Sequence, residues 1–161
     1  MKQLGENVQI RRMTAADVGR VLEIAASLPE APHWPESAYL DALNPESTPR
    51  RIALVAAGPA PAASSRVEGF TVASLLPPQA ELESIAVAAG SQRRGLGRML
   101  FDALVNELRP EGVLEMTLEV RASNHAALAF YRCAGFGQTG LRRAYYTDPI
   151  EDAALMRLDL H

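Results

Sequence analysis

The stretch Glu81-Leu82-Glu83-Ser84-Ile85-Ala86-Val87-Ala88-Ala89-Gly90-Ser91-Gln92-Arg93-Arg94-Gly95-Leu96-Gly97-Arg98 runs from an alternating strand, through a glycine-bearing loop, into an amphipathic helix. A strand over 82–87 followed by a turn and a helix N-terminus gathers several backbone N–H donors and a positive dipole end, which is a cradle for an anion. Gly95 and Gly97 allow a ligand to approach the backbone closely. The spacing then narrows the anion. A nucleotide-triphosphate loop needs Lys and Ser/Thr after its last glycine, whereas Gly90-x4-Gly95 is followed by Leu96 and Gly97. A dinucleotide fingerprint needs a third glycine where this chain has Leu100. Both readings fail, and the hexapeptide Gln92-Arg93-Arg94-Gly95-Leu96-Gly97 remains.

The bulk properties bound what surrounds this loop. A chain of 161 residues suits one domain, 1–161, with a continuous core. Hydrophobic residues at 48%, charged residues at 22% and a formal charge of −3 give no reason to expect nucleic-acid binding. No long apolar run or signal-type segment follows the polar start, so no membrane role is expected and the cytoplasm is the expected compartment. One cysteine, Cys133, excludes an intrachain disulfide framework. His33, His125 and His161 lack metal-ligand spacing, and no serine sits in G-x-S-x-G, so metal and serine-hydrolase chemistry are not expected.

Outward from the loop, periodicity places the remaining elements. Residues 8–11 alternate as a first strand, Thr14 to Asp17 reads as a capping box, and Val18, Val21, Leu22 and Ala25 mark one face of a helix ending at Leu28 before Pro29. The proline-rich 29–35 contains Trp34, and Pro35 opens a second short helix through Leu43. Strands are expected at 51–56 and 67–75, joined by a mobile hairpin connection, GPAPAASS at 58–65. Pro77-Pro78 turns the chain into the strand at 81–88, and Leu96, Leu100, Leu104 and Leu108 mark a long helix stopped by Pro110 and Gly112. Residues 114–120 alternate strictly, so Glu115, Thr117 and Glu119 share one face. Ser123 or Asn124 caps a short helix ending at Gly135, with strand-like pieces near 136–146 and 153–160. The order β-α-α-β-β-β-α-β-α-β-β predicts an α/β (α+β) fold: a mixed sheet of about six to seven strands flanked by about four helices.

Gln92-Arg93-Arg94-Gly95-Leu96-Gly97 resembles the Q/R-x-x-G-x-G/A signature of the GCN5-related N-acetyltransferase (GNAT) family, which grips the pyrophosphate of acetyl-coenzyme A. Two further stretches, LEVRASNHAALAFYRCAGF and RRAYYTDPIEDAALMRLDL, resemble the second half of the family's RimI-type members, which acetylate the N-terminal alanine of ribosomal protein S18. The similarity is near-continuous from about residue 81 to 160 and touches Trp34 weakly. It departs at Ala88-Ala89-Gly90-Ser91, where the family usually has Asp-Pro, and in GPAPAASS.

The resemblance implies a GNAT fold, acetyl-CoA as cosubstrate without a metal, and a protein N-terminus as partner. It implies that Ile85, Ala86 and Val87 offer a strand edge to pantetheine, and that Gln92 to Arg98 (Gln92, Arg93, Arg94, Gly95, Leu96, Gly97, Arg98) hold the phosphates. Asn124 would meet pantetheine or cap its helix. Glu119 would be the base that deprotonates the α-ammonium, and Tyr131 the acid that protonates the thiolate. Without the resemblance, Glu119 reads as a solvated strand carboxylate, Tyr131 as a core tyrosine and Trp34 as a packing anchor. Glu81 is a rival base, and with Trp34, Tyr145 and Tyr146 it is a candidate for the acceptor side. A GNAT enzyme for a small amine and a non-catalytic acyl-CoA-binding module remain the alternatives.

Overall fold

A computed structural model describes residues 8–58 and 67–160. Most of the GPAPAASS connection and the polar start lie outside the described residues. The order is β1 (Gln9–Arg12), α1 (Val18–Ser27), α2 (Glu36–Ala42), β2 (Arg50–Ala57), β3 (Val67–Leu76), β4 (Gln79–Val87), α3 (Leu96–Leu108), β5 (Glu115–Arg121), α4 (His125–Ala134), β6 (Gly137–Thr147) and β7 (Ile150–Asp159). This is the expected succession, in one sheet of seven strands ordered β1-β2-β3-β4-β5-β7-β6.

The central strands are apolar on both faces and therefore need cover on both. In β2, Ile52, Leu54 and Ala56 enter one core with Leu96, Leu100, Leu104 and Leu108 of α3. Its alternate residues Ala53, Val55 and Ala57 enter a second core with Val18, Val21 and Ile24 of α1 and Tyr39 of α2. Helix α4 closes the first core through Leu128. Each such buried aliphatic or aromatic side chain contributes about 1.5–3 kcal/mol, so the two cores clamp the sheet from both sides.

Local details differ from the simple pattern. Pro35 caps α2 in an extended conformation rather than opening its first turn. Strand β7 begins at Ile150 because Ile150 and Glu151 pair with Thr147 and Tyr146 beyond a bulge that the charged Glu151-Asp152 obscures.

All neighbouring strands are antiparallel except β4 and β5, which α3 connects as a parallel pair. Their pairing covers only Gln79↔Glu115, Ala80↔Met116 and Glu81↔Thr117. Just beyond, β4 carries an extra residue against β3: Val72 faces Ser84 while Ala73 faces Leu82, leaving Glu83 as a bulge. A bulge bends its strand and reverses the alternation that follows. Ala80 and Leu82 thus lie in the α3-side core, whereas Ala86 lies in the α1-side core. The two parallel strands part at this point.

Candidate active site

The divergence opens a cavity of about 700 Å³. Leu82 to Ala86 form one wall, Glu119 to Arg121 the other, and Leu28 to His33, between α1 and α2, close one side. A second cavity of about 420 Å³ continues between the glycine loop and α4, lined by Ile85, Val87, Gln92, Arg93, Gly97 and Phe130 among others, with Tyr131 bordering both.

The open edge of β4 follows from strand alternation. Ala88 N–H donates to the Glu68 carbonyl on β3 at 2.8 Å, so the preceding Val87 turns its backbone groups to the gap, as does Ile85. Gln92 Nε2 already donates to the Val87 carbonyl at 2.9 Å, which leaves the Val87 N–H facing the cleft. The glycine loop needs left-handed backbone at Arg93 (φ 66°) and at Gly95 (φ 82°), the N-cap of α3. A Cβ at Gly95 would meet nothing within 4 Å, whereas one at Gly97 would stand 3.3 Å from the Phe130 ring. Gly95 is thus a backbone requirement and Gly97 a close-approach requirement. Glu68 braces the turn, accepting from the Ser91 hydroxyl and lying 3.9 Å from Arg94.

Not every cradle candidate faces the cradle. Leu96 is 2% exposed, with its side chain in the core, so only its backbone is available to a ligand. Arg98 turns away: its Nε meets Asp102 at 2.9 Å and its Nη1 donates to the Cys133 carbonyl at 3.4 Å. Asn124 is the N-cap of α4, its Oδ1 accepting from Ala127 N–H at 3.1 Å, and it also lines the larger cavity. The cap occupies its oxygen and leaves its NH₂ group for a ligand.

Glu119 lines the cavity on the face of β5 opposite the α3-side core. Arg142 of β6 lies 3.4 Å from its Oε2. The arrangement depends on a β6 bulge between Arg142 and Tyr146, held where Ala144 (φ 50°) donates its N–H to Asp152 Oδ1 at 2.8 Å. Tyr145 and Tyr146 stack edge to face at 5.1 Å, and their hydroxyls are both pushed up, Tyr145 first by its hydrogen bond to Glu119 and Tyr146 first by burial. Tyr146 also lines the cavity under Arg121, whose guanidinium sits 4.3 Å above its ring. Arg121 is fixed by Glu151 at 3.3 Å and by the Pro149 carbonyl at 3.1 Å. Burial pushes the Tyr131 phenol up to about 12, with Tyr146 adding to it, so Tyr131 keeps its proton across the neutral range.

Glu81 is the last residue of β4 paired with β5, exposed and outside the cavity lining. Its carboxyl is raised, first by the partial desolvation of its base beside the neighbouring strands and then by Glu83 and Glu119. Glu83 lines the cavity but is paired with Arg51 at 2.8 Å. Trp34 packs 5.1 Å from Tyr39 in the α1-side core and does not line either cavity; its neighbours up to His33 do. The sequence reading missed Phe130, Glu68, Arg121 and the 28–33 wall. Only Phe130 had a signal, its place one residue before Tyr131 in the α4 segment.

Among the described residues, no group of three or more His, Cys, Asp or Glu could hold a metal, and no helix is long and apolar enough to cross a membrane. The sequence profile of the acetyltransferase (GNAT) family matches residues 22–136. The [ribosomal protein bS18]-alanine N-acetyltransferase of Salmonella typhimurium is 44% identical over 100 residues, 61% of this chain and 68% of that protein. N-alpha-acetyltransferase RimI of Mycobacterium tuberculosis is 38% identical over 160 residues, 96% of this chain and 94% of its own length. The crystal structure of the ribosomal-protein-S18-alanine N-acetyltransferase from Escherichia coli matches at a TM-score of 0.78 and 30% identity, covering 95% of this chain and 94% of that one. With the family profile spanning most of a chain whose parallel strands part over a glycine-loop cradle, the protein belongs to the GNAT acetyltransferase family.

Proposed function

We propose that this acetyltransferase uses acetyl-CoA to acetylate a protein N-terminus, the N-terminal alanine of ribosomal protein S18. The observation that carries the reading is the β4–β5 pairing that stops at Glu81↔Thr117, leaving a backbone edge on one wall and Glu119 and Tyr131 on the cavity it opens. The names of the Salmonella relative and of the Escherichia coli structure supply the acceptor, and the name of the Mycobacterium relative supports Nα-acetylation.

The residues present fit acetyl-CoA. The open backbone of Ile85 and Val87 can pair with the amides of a pantetheine arm, and the amides around Arg93 to Gly97 ending at the N-terminus of α3 suit its diphosphate. Arg93 adds charge at the second cavity, whereas Arg98 is committed elsewhere. When bound, the thioester supplies the acetyl group. A backbone N–H of this open edge is the donor available to an acyl oxygen. An N-terminal ammonium has a pKa of about 7.7–8.0 and must lose a proton before it attacks. Glu119, with access to the cavity, takes that proton through water, and Arg142 holds its carboxylate in place. Tyr131 holds a proton ready for a departing thiolate.

The Glu81 carboxyl is raised but lies outside the cleft, and a base must first reach the proton it removes. Thiol release from acetyl-CoA, measured with an S18 N-terminal peptide, with a polyamine and with no acceptor, tests the proposal. Peptide-dependent release is expected. Release no faster than without acceptor overturns the enzymatic reading for this substrate, and faster release with polyamine overturns the acceptor.

A further inference from the structure

Among the described residues, two buried side-chain hydroxyls have no hydrogen-bond partner within the protein, those of Tyr39 and Ser84. Tyr39 is enclosed in the α1-side core beside Trp34 and Phe70 and does not line the cleft. Ser84 is 4% exposed and does line it. Its backbone is held, because the Thr71 hydroxyl donates to the Ser84 carbonyl at 2.9 Å. A buried hydroxyl left unpaired costs free energy, and a protein retains one where a ligand or water completes it.

The β4 bulge determines where this hydroxyl points. Ser84 pairs with Val72, whose side chain lies in the α1-side core, so Ser84 stands on that face of the sheet. Plain alternation after Leu82 would have put it on the same side as Leu82, in the α3-side core. Glu119 alternates with Leu118 and Val120, both in the α3-side core, and therefore shares the face of Ser84. Counting on from Glu81↔Thr117, with Glu83 as the extra residue, brings Ser84 level with Glu119 across the gap. The two polar groups line one opening, which the 28–33 segment closes on one side.

We propose that Ser84 is a catalytic residue of the acceptor half of the site: its Oγ accepts a hydrogen bond from the α-amino group of the incoming peptide and aligns that group opposite Glu119. The inference rests on the acetyltransferase reading and deepens it. The amine, once deprotonated, keeps two N–H bonds while its lone pair attacks, and Ser84 receives one of them. No protein group pairs with this hydroxyl, as suits a group whose partner arrives with the substrate.

Ser84→Ala separates this role from a structural one. Removing an orphan hydroxyl takes no hydrogen bond from the free protein, so the thermal midpoint of Ser84→Ala is expected to stay or rise. Acetyl-CoA affinity by calorimetry should not change. The kcat/KM for an S18 N-terminal peptide should fall about 10- to 100-fold, the scale of one hydrogen bond to a charged or reacting group. Ser84→Thr, which keeps an oxygen at that place, should retain most of the activity if its midpoint shows it folded. Undiminished kcat/KM in Ser84→Ala overturns the inference. A lowered midpoint with a matching loss of acetyl-CoA binding also overturns it, in favour of a packing role. Wild-type protein in the same assay keeps the two readings apart: a wild type inert toward the peptide overturns both, whereas an active wild type matched by Ser84→Ala overturns only the role of Ser84.

Discussion

The two walls of the cleft are made of different material. The β4 wall and its loop offer backbone: the open edge of Ile85 and Val87, the left-handed turn at Arg93 and Gly95, and the start of α3. The opposite wall, β5 with the β6–β7 hairpin, offers side chains: Glu119 under Arg142, Arg121 over Tyr146, and Tyr145 against Tyr146. Backbone recognition depends on conformation and tolerates most changes of side chain, except where a glycine is required. Side-chain recognition depends on individual groups and on their protons. The first suits a ligand that never varies, the second an acceptor that must be distinguished from others.

Substitution at the loop should have the largest effect. Gly95→Asp requires a residue with a Cβ at φ 82° and sets a carboxylate where phosphate is proposed to bind. Like charges brought together cost several kcal/mol, so acetyl-CoA affinity should fall by more than about 100-fold. Calorimetry on the folded variant checks this, and unchanged affinity would remove the cradle from the account.

On the side-chain wall the effect should fall on rate instead. Glu119→Gln is expected to lower kcat/KM by about 10²–10⁴-fold at neutral pH, with acetyl-CoA binding kept. The deficit should shrink as pH rises and the amine loses its proton unaided. Glu81→Gln should cost far less. A pH–rate comparison of the two variants decides between them, and a larger defect in Glu81→Gln would transfer the base to β4 and blur the contrast between the walls.

Tyr131→Phe should come next. A thiolate whose conjugate acid has a pKa near about 8.5 leaves with little help, so the loss in kcat should be near about 100-fold, the low end for general acid catalysis. Binding of acetyl-CoA should be nearly normal, and single-turnover kinetics separate the two quantities. Wild-type kcat with chemistry rate-limiting would pass the proton donation to solvent.

The smallest effect is on stability. Tyr131 is raised from an ordinary value of 10.0 to about 12 in the folded protein, so between those values the folded state holds a proton that the unfolded state has lost. Its contribution is complete below pH 10 and is lost as pH rises towards 12. Denaturant unfolding across that window should show wild type losing more stability than Tyr131→Phe, and equal slopes would contradict the desolvation of this phenol.

These comparisons also explain what could be seen in the sequence. Strands β2, β3 and β5 and helix α3 were legible because their apolar periodicity is set by burial on known faces. The glycine loop was legible because its backbone chemistry leaves a residue signature. The Glu83 bulge was not: in Glu83-Ser84-Ile85-Ala86, small residues alternate with larger ones and either phase satisfies a buried strand. Arg98 carries the right charge at the right spacing, yet its i+4 neighbour Asp102 and the Cys133 carbonyl draw it off the loop. Trp34 sits one residue beyond the cavity wall and is absorbed by Tyr39, a contact that depends on how α2 folds back. Phe130 matters through Gly97, and that pair meets only once α4 lies against the start of α3.

The open edge of β4 also bears on intermolecular sheet growth. An unpaired strand edge is an invitation to intermolecular sheet growth, and proteins commonly blunt it with charge, proline or brevity. Here the edge lies inside the sheet, between two strands joined at one end by the Gln79–Glu81 ladder, so a foreign strand would have to enter a closed fork. The same recess that leaves the edge open to a ligand's amides therefore withholds it from the strands of neighbouring chains.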